Sequence, residues 1–346
     1  MAIEKLTIKA FLQFSKQHPI LDVRSPGEFQ HAHIPGAYNL PLFSDDERRI
    51  VGTAYKQQNR ESAIKTGLEF FGIKMRKMIE EVESLQTKTV LVHCWRGGMR
   101  SAGISWLLDL YGYRVYNLIG GYKSFRRYVL DIFNCSFAFK ILGGFTGSGK
   151  TDTLIALEKK GESIIDLENL ASHKGSAFGK IDNIAQPSQE MFENKLAMQL
   201  SGKMNGSIWV EDESQRIGSI NIPPQVWKNM QQSPVFFLDI PFEERLKRIL
   251  VEYGNADIEY LTHAISRIQK RLGGYEAKTA THLILENDLR GGFSVLLKYY
   301  DKCYQKSIFV REKNASALCR LPCANVDIEG NSSTLLNSQI SHQAIF

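Results

Sequence analysis

The sequence predicts a protein of the α/β class, with two domains in series that are each built around a mostly parallel sheet. A short apolar run, a glycine-bearing loop and a helical pattern follow one another twice, over residues 89–111 and 137–160. In the second half of the chain further apolar runs alternate with helical stretches, which is typical of a parallel sheet covered by helices. The chain has 346 residues, enough for two domains of ordinary size.

We place the first domain at residues 1–134 and the second at residues 135–310. From residue 311 the chain turns polar and rich in serine and asparagine. A segment of that composition buries little apolar surface, so we expect residues 311–346 to form a flexible tail.

Composition and charge narrow the class of protein. Hydrophobic residues make up 43% of the chain and charged residues 23%, which excludes a disordered chain, and no apolar run is long enough to predict a membrane span. The N-terminus shows no signal peptide, and five cysteines are too few for a disulfide framework, so we expect a cytoplasmic protein. A net charge of +6 permits an RNA partner without requiring one.

The first polar site follows a strand predicted at residues 20–24. Asp22 and Arg24 stand at its carboxyl end, where open α/β sheets place their binding sites, and His33 follows in a loop. We interpret these three side chains as framework, because buried ion pairs often fix loops over a sheet. The charged segment at residues 43–58 is expected to form a helix and a loop near the site.

The central stretch of this domain, residues 90–101, predicts a strand, a tight loop that begins with Cys94, and a helix. Backbone N–H groups turned toward the sulfur, a helix N-terminus and guanidinium groups all favour the thiolate, so we predict that Cys94 is a nucleophile. The alternative is a buried structural cysteine, which would need neither the glycines nor the arginines of the loop. The loop residues that support the nucleophile are Arg96, Gly97, Gly98 and Arg100.

These features together resemble the rhodanese family. The match consists of Asp22-Val-Arg24 with Glu28-Phe, then His33-Ile-Pro-Gly-Ala, and further along the cysteine loop, in the order that a rhodanese requires. The resemblance implies a rhodanese-like α/β domain for residues 1–134.

A basic helix with several aromatic residues is predicted at residues 122–128, where the chain leaves this domain. Lys123, Arg126 and Arg127 are candidates for contacts with RNA phosphates, but a charged helix face is more often simply solvated. We favour the solvated surface for these three residues.

A second glycine-rich loop follows the strand predicted at residues 137–142. Residues 144–151 match the pattern G-x-x-x-x-G-K-[ST] between a strand and a helix. In such a loop the backbone N–H groups wrap a di- or triphosphate, the lysine neutralises its oxygens, and the threonine can bind magnesium. We therefore predict a P-loop NTPase-like domain whose phosphate-binding residues are Gly144, Gly147, Gly149, Lys150 and Thr151.

An acidic strand end supplies the candidates for a metal ligand. Asp212 is the first choice to hold magnesium together with Thr151, and Glu211, Glu213 and Asp166 are rivals. The alternative is a hydrogen-bonded strand end that needs no metal.

Three further features are less specific. The glycine-bearing loop at residues 173–179 is a candidate docking place for an acceptor, and the basic face of a helix predicted at residues 258–272 is a candidate contact for phosphate or RNA, with a solvated surface as the default. Cys319 and Cys323 lack the second pair of ligands that a zinc site needs, so we treat them as incidental.

The pairing of the two loops in one chain resembles the bacterial tRNA 2-selenouridine synthase family. The likeness covers residues 12–305 and includes Glu47-Arg, Val51-Gly-Thr-Ala-Tyr-Lys, both loops and Glu211-Asp-Glu-Ser. Either loop alone would be far less specific.

The resemblance implies a two-step change of a wobble uridine in tRNA. Geranyl diphosphate first alkylates the sulfur of 2-thiouridine, and selenium from selenophosphate then replaces the S-geranyl group to leave 2-selenouridine. We expect Lys150 and Thr151 to serve the alkylation and Cys94 to carry selenium covalently in the second step. The expected partners are tRNA, geranyl diphosphate and selenophosphate, with no tightly bound cofactor and Mg²⁺ as an option.

Three other functions stay open at this stage. They are a nucleotide-dependent kinase or ATPase with a sulfur-carrying domain, a simple thiosulfate sulfurtransferase, and an RNA-binding adaptor with inactive domains. The intact Cys94 and the complete phosphate loop argue against the adaptor.

Overall fold

A computed structural model of the chain describes residues 3–173, 185–313 and 318–343. The chain divides into two compact units. The first comprises residues 1–132 and 187–198, and the second comprises residues 133–186 and 199–346. The first division lies close to the predicted boundary after residue 134, whereas the second unit extends well past residue 310.

The first unit is built on a parallel sheet. Its strands are β1 (Glu4–Leu6), β2 (Ile20–Asp22), β3 (Ala37–Asn39), β4 (Thr89–His93) and β5 (Arg114–Leu118). Their order is β1-β5-β4-β2-β3, and every neighbouring pair is parallel. The central strand β4 is buried because its side chains Val90, Leu91 and Val92 are apolar and covered on both faces.

Six helices belong to this part of the chain: α1 (Ile8–Phe14), α2 (Pro26–His31), α3 (Asp45–Gln57), α4 (Arg60–Glu83), α5 (Met99–Leu110) and α6 (Gly121–Phe133). The charged segment predicted as a helix and a loop forms α3. That helix begins with a capping box, in which the Ser44 hydroxyl accepts from the Glu47 N–H and the Glu47 carboxylate accepts from the Ser44 N–H. The 24-residue helix α4 then follows almost at once.

The second unit also contains a parallel sheet. Its strands are β6 (Ala138–Gly144), β7 (Ile164–Ile165), β8 (Ser207–Glu211), β9 (Arg216–Ile217), β10 (Ile220–Asn221), β11 (Val235–Asp239) and β12 (Leu318–Pro322). The order in the main sheet is β12-β11-β6-β8-β7, with parallel neighbours throughout, and β9 and β10 form a small antiparallel pair. The predicted α/β class and the two parallel sheets are confirmed.

The helices from this point onward are α7 (Lys150–Lys159), α8 (Leu167–Leu170), α9 (Gln189–Ser201), α10 (Pro224–Gln231), α11 (Phe242–Tyr253), α12 (Ile258–Leu272), α13 (Gly274–Leu285), α14 (Leu289–Lys313) and α15 (Ile328–Gln343). The first part of α9 belongs to the first unit. Within the described ranges, no helix combines the length and the apolar character needed to cross a bilayer.

The prediction of a flexible tail over residues 311–346 is wrong for the described residues 318–343. Strand β12 pairs with β11 along its whole length, from Val235 opposite Leu318 to Asp239 opposite Pro322. Helix α15 packs on α7, where its Leu335 is fully buried in the core, and the Lys160 ammonium donates to the hydroxyls of Ser332 and Ser333. The serines that suggested disorder are therefore partners in a packed helix.

Candidate functional site

The Cys94 loop begins at the carboxyl end of the central strand β4 and leads into helix α5. The Cys94 sulfur is buried, with 3% of the side chain exposed, while the residues that follow it, Trp95 through Met99, are exposed. The Gly98 N–H donates to Sγ at 3.3 Å, and the Ser101 hydroxyl lies 3.3 Å from the same atom. The loop thus brings a backbone N–H group and a hydroxyl within hydrogen-bond distance of the sulfur.

These donors change the acidity of the thiol. Burial alone would raise the pKa of Cys94, because a thiolate loses its hydration in the interior. Hydrogen bonds from the Ser101 hydroxyl and from the backbone N–H groups of Ser101, Arg96 and Gly98 outweigh the burial, and the pKa lies below its ordinary value. The sequence-based prediction of an activated thiolate agrees with this geometry.

The loop is closed by a second glycine turn, at the start of α6. Gly121 has a φ of +60°, and a Cβ at this position would lie 2.4 Å from the Cys94 oxygen and 2.5 Å from the Gly97 nitrogen. The Tyr122 N–H donates to the Cys94 oxygen at 2.8 Å. Only glycine fits at residue 121, because the two loops touch through their backbones.

The two arginines of the loop differ in their surroundings. Arg100 donates to the Glu28 carboxylate at 2.7 Å, and Arg48 binds the same carboxylate at 2.9 Å. Glu28 therefore holds Arg100 in place and neutralises part of the positive charge that we expected to stabilise the Cys94 thiolate. The Arg96 side chain is exposed, so its contribution near the sulfur comes through its backbone N–H.

The residues interpreted as framework form a buried cluster behind the loop. The Arg24 guanidinium donates to both Asp22 carboxylate oxygens and to the Ala32 oxygen, and its Cζ lies 3.8 Å from the centre of the Tyr122 ring. His93, which the sequence reading did not single out, is fully buried, with its Nε2 3.7 Å from Asp22. Burial lowers the pKa of His93, so the ring is neutral. This arrangement agrees with a structural role for Asp22 and Arg24.

The phosphate loop connects β6 to α7 in the second unit. Gly147 has a φ of +81°, and a Cβ there would lie 2.9 Å from the Arg245 oxygen, so the close approach of α11 requires glycine. Gly144 and Gly149 also have positive φ and occupy the predicted places at the two ends of the loop. The Lys150 Nζ donates to the Gly144 oxygen at 3.0 Å.

Lys150 is held as a cation by its neighbours. Burial alone would lower the pKa of Lys150, but the phenol of Tyr304 and the carboxylates of Glu211, Glu213 and Glu168 raise it above the ordinary value. A lysine of a phosphate loop whose pKa is raised is protonated at neutral pH and is suited to neutralise a diphosphate.

A cluster of carboxylates lies beside this lysine. Ligand atoms of Glu168, Glu211 and Glu213 all lie within 4.8 Å of one another, and the Thr151 hydroxyl bonds to Glu211. Glu211 is 2% exposed, and its Oε1 has no hydrogen-bond partner among the described residues. Burial, with the nearby charge of Glu168, raises the pKa of Glu211 to about 8. Carboxylate oxygens crowded in this way are the donors that a hard divalent cation takes.

The structure distinguishes among the acidic candidates. The rivals Glu211 and Glu213 belong to the cluster, together with Glu168, which the sequence reading missed. Asp212 lines the same cavity but is not part of the cluster. Asp166 lines the cavity as well and caps α8, where its side chain accepts from the Asn169 N–H.

A cavity of about 890 Å³ opens over the phosphate loop and the carboxylates. Its lining includes the aromatic side chains of Tyr299, Tyr300 and Tyr304 from α14 and of Trp227 from α10. Arg248 and Arg271 add positive charge. The space is sufficient for a diphosphate with an attached organic group and for part of a second substrate.

The remaining candidates fall elsewhere. Arg126 binds Glu193 and the Asn194 side chain, so it is engaged within the first unit. Most of the loop at residues 173–179 lies outside the described residues. Cys319 lies in β12 and Cys323 directly follows this strand, and burial raises the pKa of both thiols, which is the behaviour of packed rather than reactive cysteines.

Comparisons with known proteins match both domains of the chain. The model of the tRNA 2-selenouridine synthase AAA domain matches residues 137–321, and the model of the rhodanese-like domain matches residues 7–128. A tRNA 2-selenouridine synthase of Pseudomonas syringae is 34% identical over 346 aligned positions, which cover 88% of this chain and 92% of that protein.

The chain belongs to the tRNA 2-selenouridine synthase family. Proteins of the same name from Shewanella denitrificans and Pseudomonas putida are 34% and 35% identical over 87% and 83% of this chain, and these matches cover 91% and 86% of the relatives. The resemblance drawn from the paired loops is therefore confirmed, and the enzyme family is a tRNA-modifying one.

Proposed function

We propose that this enzyme converts 2-thiouridine at the wobble position of tRNA to 2-selenouridine, first by S-geranylation and then by replacement of the geranylated sulfur. The observation that carries the proposal is the presence in one chain of a thiol with a lowered pKa and of a phosphate loop that carries the half-buried Lys150, within a family named for this product. Because the substrate is tRNA, we place the reaction in the cytoplasm.

The phosphate loop serves the alkylation. The thiocarbonyl sulfur of the base attacks carbon 1 of geranyl diphosphate, the carbon–oxygen bond breaks, diphosphate departs, and the N3 proton of the base is released. Lys150 and the loop N–H groups stabilise the negative charge that develops on the leaving diphosphate. Alkylation turns the sulfur of a thiocarbonyl, a poor leaving group, into a good one.

A divalent cation fits this step. We propose that Mg²⁺ is held by Thr151 and by carboxylates of Glu168, Glu211 and Glu213, in place of Asp212, the first choice from the sequence. The orphaned Oε1 of Glu211 and the mutual closeness of these three glutamates support this choice. When bound, such an ion would neutralise charge on the diphosphate. The side chains themselves place acceptor oxygens beside Lys150 and orient the Thr151 hydroxyl.

Cys94 serves the second step. Its thiolate attacks carbon 2 of the geranylated base and geranyl thiol departs; selenide released from selenophosphate then displaces Cys94, while water takes the phosphoryl group. No oxidation state changes in this sequence. Selenium carried directly on the Cys94 sulfur, the expectation from the sequence, would require an added two-electron oxidant, and we therefore prefer attack on carbon 2.

The test is incubation of the protein with thiolated tRNA, geranyl diphosphate and selenophosphate, followed by mass spectrometry of the nucleosides. We expect the S-geranyl nucleoside when selenophosphate is omitted and 2-selenouridine when it is present. An unchanged 2-thiouridine peak would contradict the proposal. Turnover of ATP or GTP in place of these products would favour the kinase, and rapid thiosulfate-to-cyanide transfer would favour the sulfurtransferase.

A further inference from the structure

A second, smaller cavity adjoins the phosphate loop. Its volume is about 70 Å³, and it shares two residues of the loop itself, Thr146 and Gly147, with the large cavity. Tyr253 and Tyr300 also line both cavities. The two cavities are therefore neighbours, with the phosphate loop and these two tyrosines common to their linings.

Most of the wall of the small cavity is apolar, and the acidic residue of its lining, Glu252, also lines the large cavity. The apolar part consists of Ile249 from α11 and of Phe293, Leu296 and Leu297 from α14, none of them more than 6% exposed. These side chains belong to one hydrophobic core, so the cavity cannot lengthen without displacing that core. A nucleobase would lose its hydrogen bonds to water against such a wall, whereas a hydrocarbon loses none.

We propose that this apolar pocket binds the distal end of the prenyl chain whose diphosphate lies in the phosphate loop. The inference rests on the proposed function and assigns a binding place to the hydrocarbon chain of geranyl diphosphate, the alkylating substrate of the first step. The occupant is a prenyl diphosphate, because residues of the phosphate loop line the pocket and most of its wall is hydrocarbon.

The volume indicates how much of the chain enters. A cavity of about 150 Å³ holds a benzene ring and a water molecule occupies about 30 Å³, so a pocket of this size accommodates two or three carbons. The middle of the chain then lies along Tyr253 and Tyr300. Because the far wall of the pocket belongs to the core, we expect a ten-carbon chain to fill the pocket more completely than a five-carbon chain does, and a fifteen-carbon chain to exceed its volume.

The experiment compares three diphosphates of equal charge on the full-length protein by isothermal titration calorimetry. Dimethylallyl, geranyl and farnesyl diphosphate differ only in chain length, so their differences report the pocket and not the phosphate loop. We expect geranyl diphosphate to bind about 30-fold more tightly than dimethylallyl diphosphate, from the burial of two or three carbons. Farnesyl diphosphate should bind more weakly than geranyl diphosphate.

A matched pair of variants tests for tighter binding of farnesyl diphosphate, a result that destabilisation of the fold cannot produce. Leu296→Ala enlarges the pocket and should improve farnesyl binding about 10-fold relative to geranyl. Leu261→Ala removes the same atoms from the same core but does not line the pocket, and it should leave the preference unchanged. Leu296→Val provides a milder enlargement if the alanine variant does not fold.

Equal affinities for dimethylallyl and geranyl diphosphate, or affinities that rise steadily through farnesyl, would overturn the pocket assignment. If geranyl diphosphate still alkylates thiolated tRNA in that case, the proposed function survives. Failure of all three compounds to bind would remove both, because the phosphate loop would then not hold a prenyl diphosphate.

Discussion

The cysteine loop after β4 and the phosphate loop after β6 share one backbone arrangement but differ in what they enclose. Each leaves the carboxyl end of a parallel strand, curls through glycines and enters a helix. In the first loop the N–H groups point at a sulfur atom that the protein itself supplies, at 3.3 Å from Gly98. In the second loop the residues line a large cavity instead.

The difference lies in what completes each anion site. The cysteine loop encloses its own anion and rests on a second glycine turn at Gly121. The phosphate loop brings a cation, Lys150, and faces carboxylates that raise the pKa of that lysine. In the proposed function, one site stores a nucleophile and the other receives a leaving group. The predictions that follow ask whether the two can be disabled separately.

Removal of the Lys150 ammonium should have the largest effect on the alkylation. We expect Lys150→Ala to slow S-geranylation roughly 1000-fold, because the charge on the departing diphosphate loses its main counter-charge. Exchange of selenium into tRNA that already carries the S-geranyl group should change little. Lys159→Ala, at the exposed end of the same helix, is the control, and both rates are read by nucleoside mass spectrometry.

A clash placed behind the cysteine loop should give the reverse result. Gly121→Ala puts a Cβ 2.4 Å from the Cys94 oxygen, so we expect the selenium exchange to fall about 100-fold with geranylation retained. Gly112→Ala has a similarly positive φ, but no atom lies within 4 Å of its added Cβ. Equal losses in the two variants would mean that strain alone, and not the contact between the loops, is responsible.

The smallest expected effect is a shift in pH dependence. Because hydrogen bonds lower the pKa of Cys94, its alkylation by iodoacetamide should rise with pH through a midpoint below that of a free thiol. Ser101→Ala removes one donor, so the midpoint should move upward and the selenium exchange at neutral pH should slow by about 10-fold. Ser105→Ala, one turn further along α5 and bonded to Asn117, should leave the midpoint unchanged.

Much of this comparison could be predicted from the sequence, because each loop is a contiguous motif. Cys94 with its glycines, and Lys150 with its glycines, carry their chemistry within a few residues. The pairing of Arg100 with Glu28, which lie 72 positions apart, has no local signal and depends on the packing of α2 against the loop.

Two features that the sequence reading missed depend on the order of strands. Glu168 follows β7 and Glu211 ends β8, and these strands are parallel neighbours, so their carboxyl ends meet. If the sequence had shown that β7 and β8 are neighbours, Glu168 would have been predicted as a member of the acidic cluster. Strand β12 is short and flanked by polar residues, so the sequence did not predict it. In the structure it pairs with β11 and forms the edge of the sheet.

The separation of the two steps is the central claim, and Cys94→Ala tests it most directly. The variant is supplied with thiolated tRNA and geranyl diphosphate, selenophosphate is added later, and the nucleosides are analysed by mass spectrometry at both times. We predict that the S-geranyl nucleoside forms at close to the normal rate and then persists, with no 2-selenouridine. Loss of geranylation in a folded Cys94→Ala protein, or formation of 2-selenouridine at a normal rate, would contradict the claim.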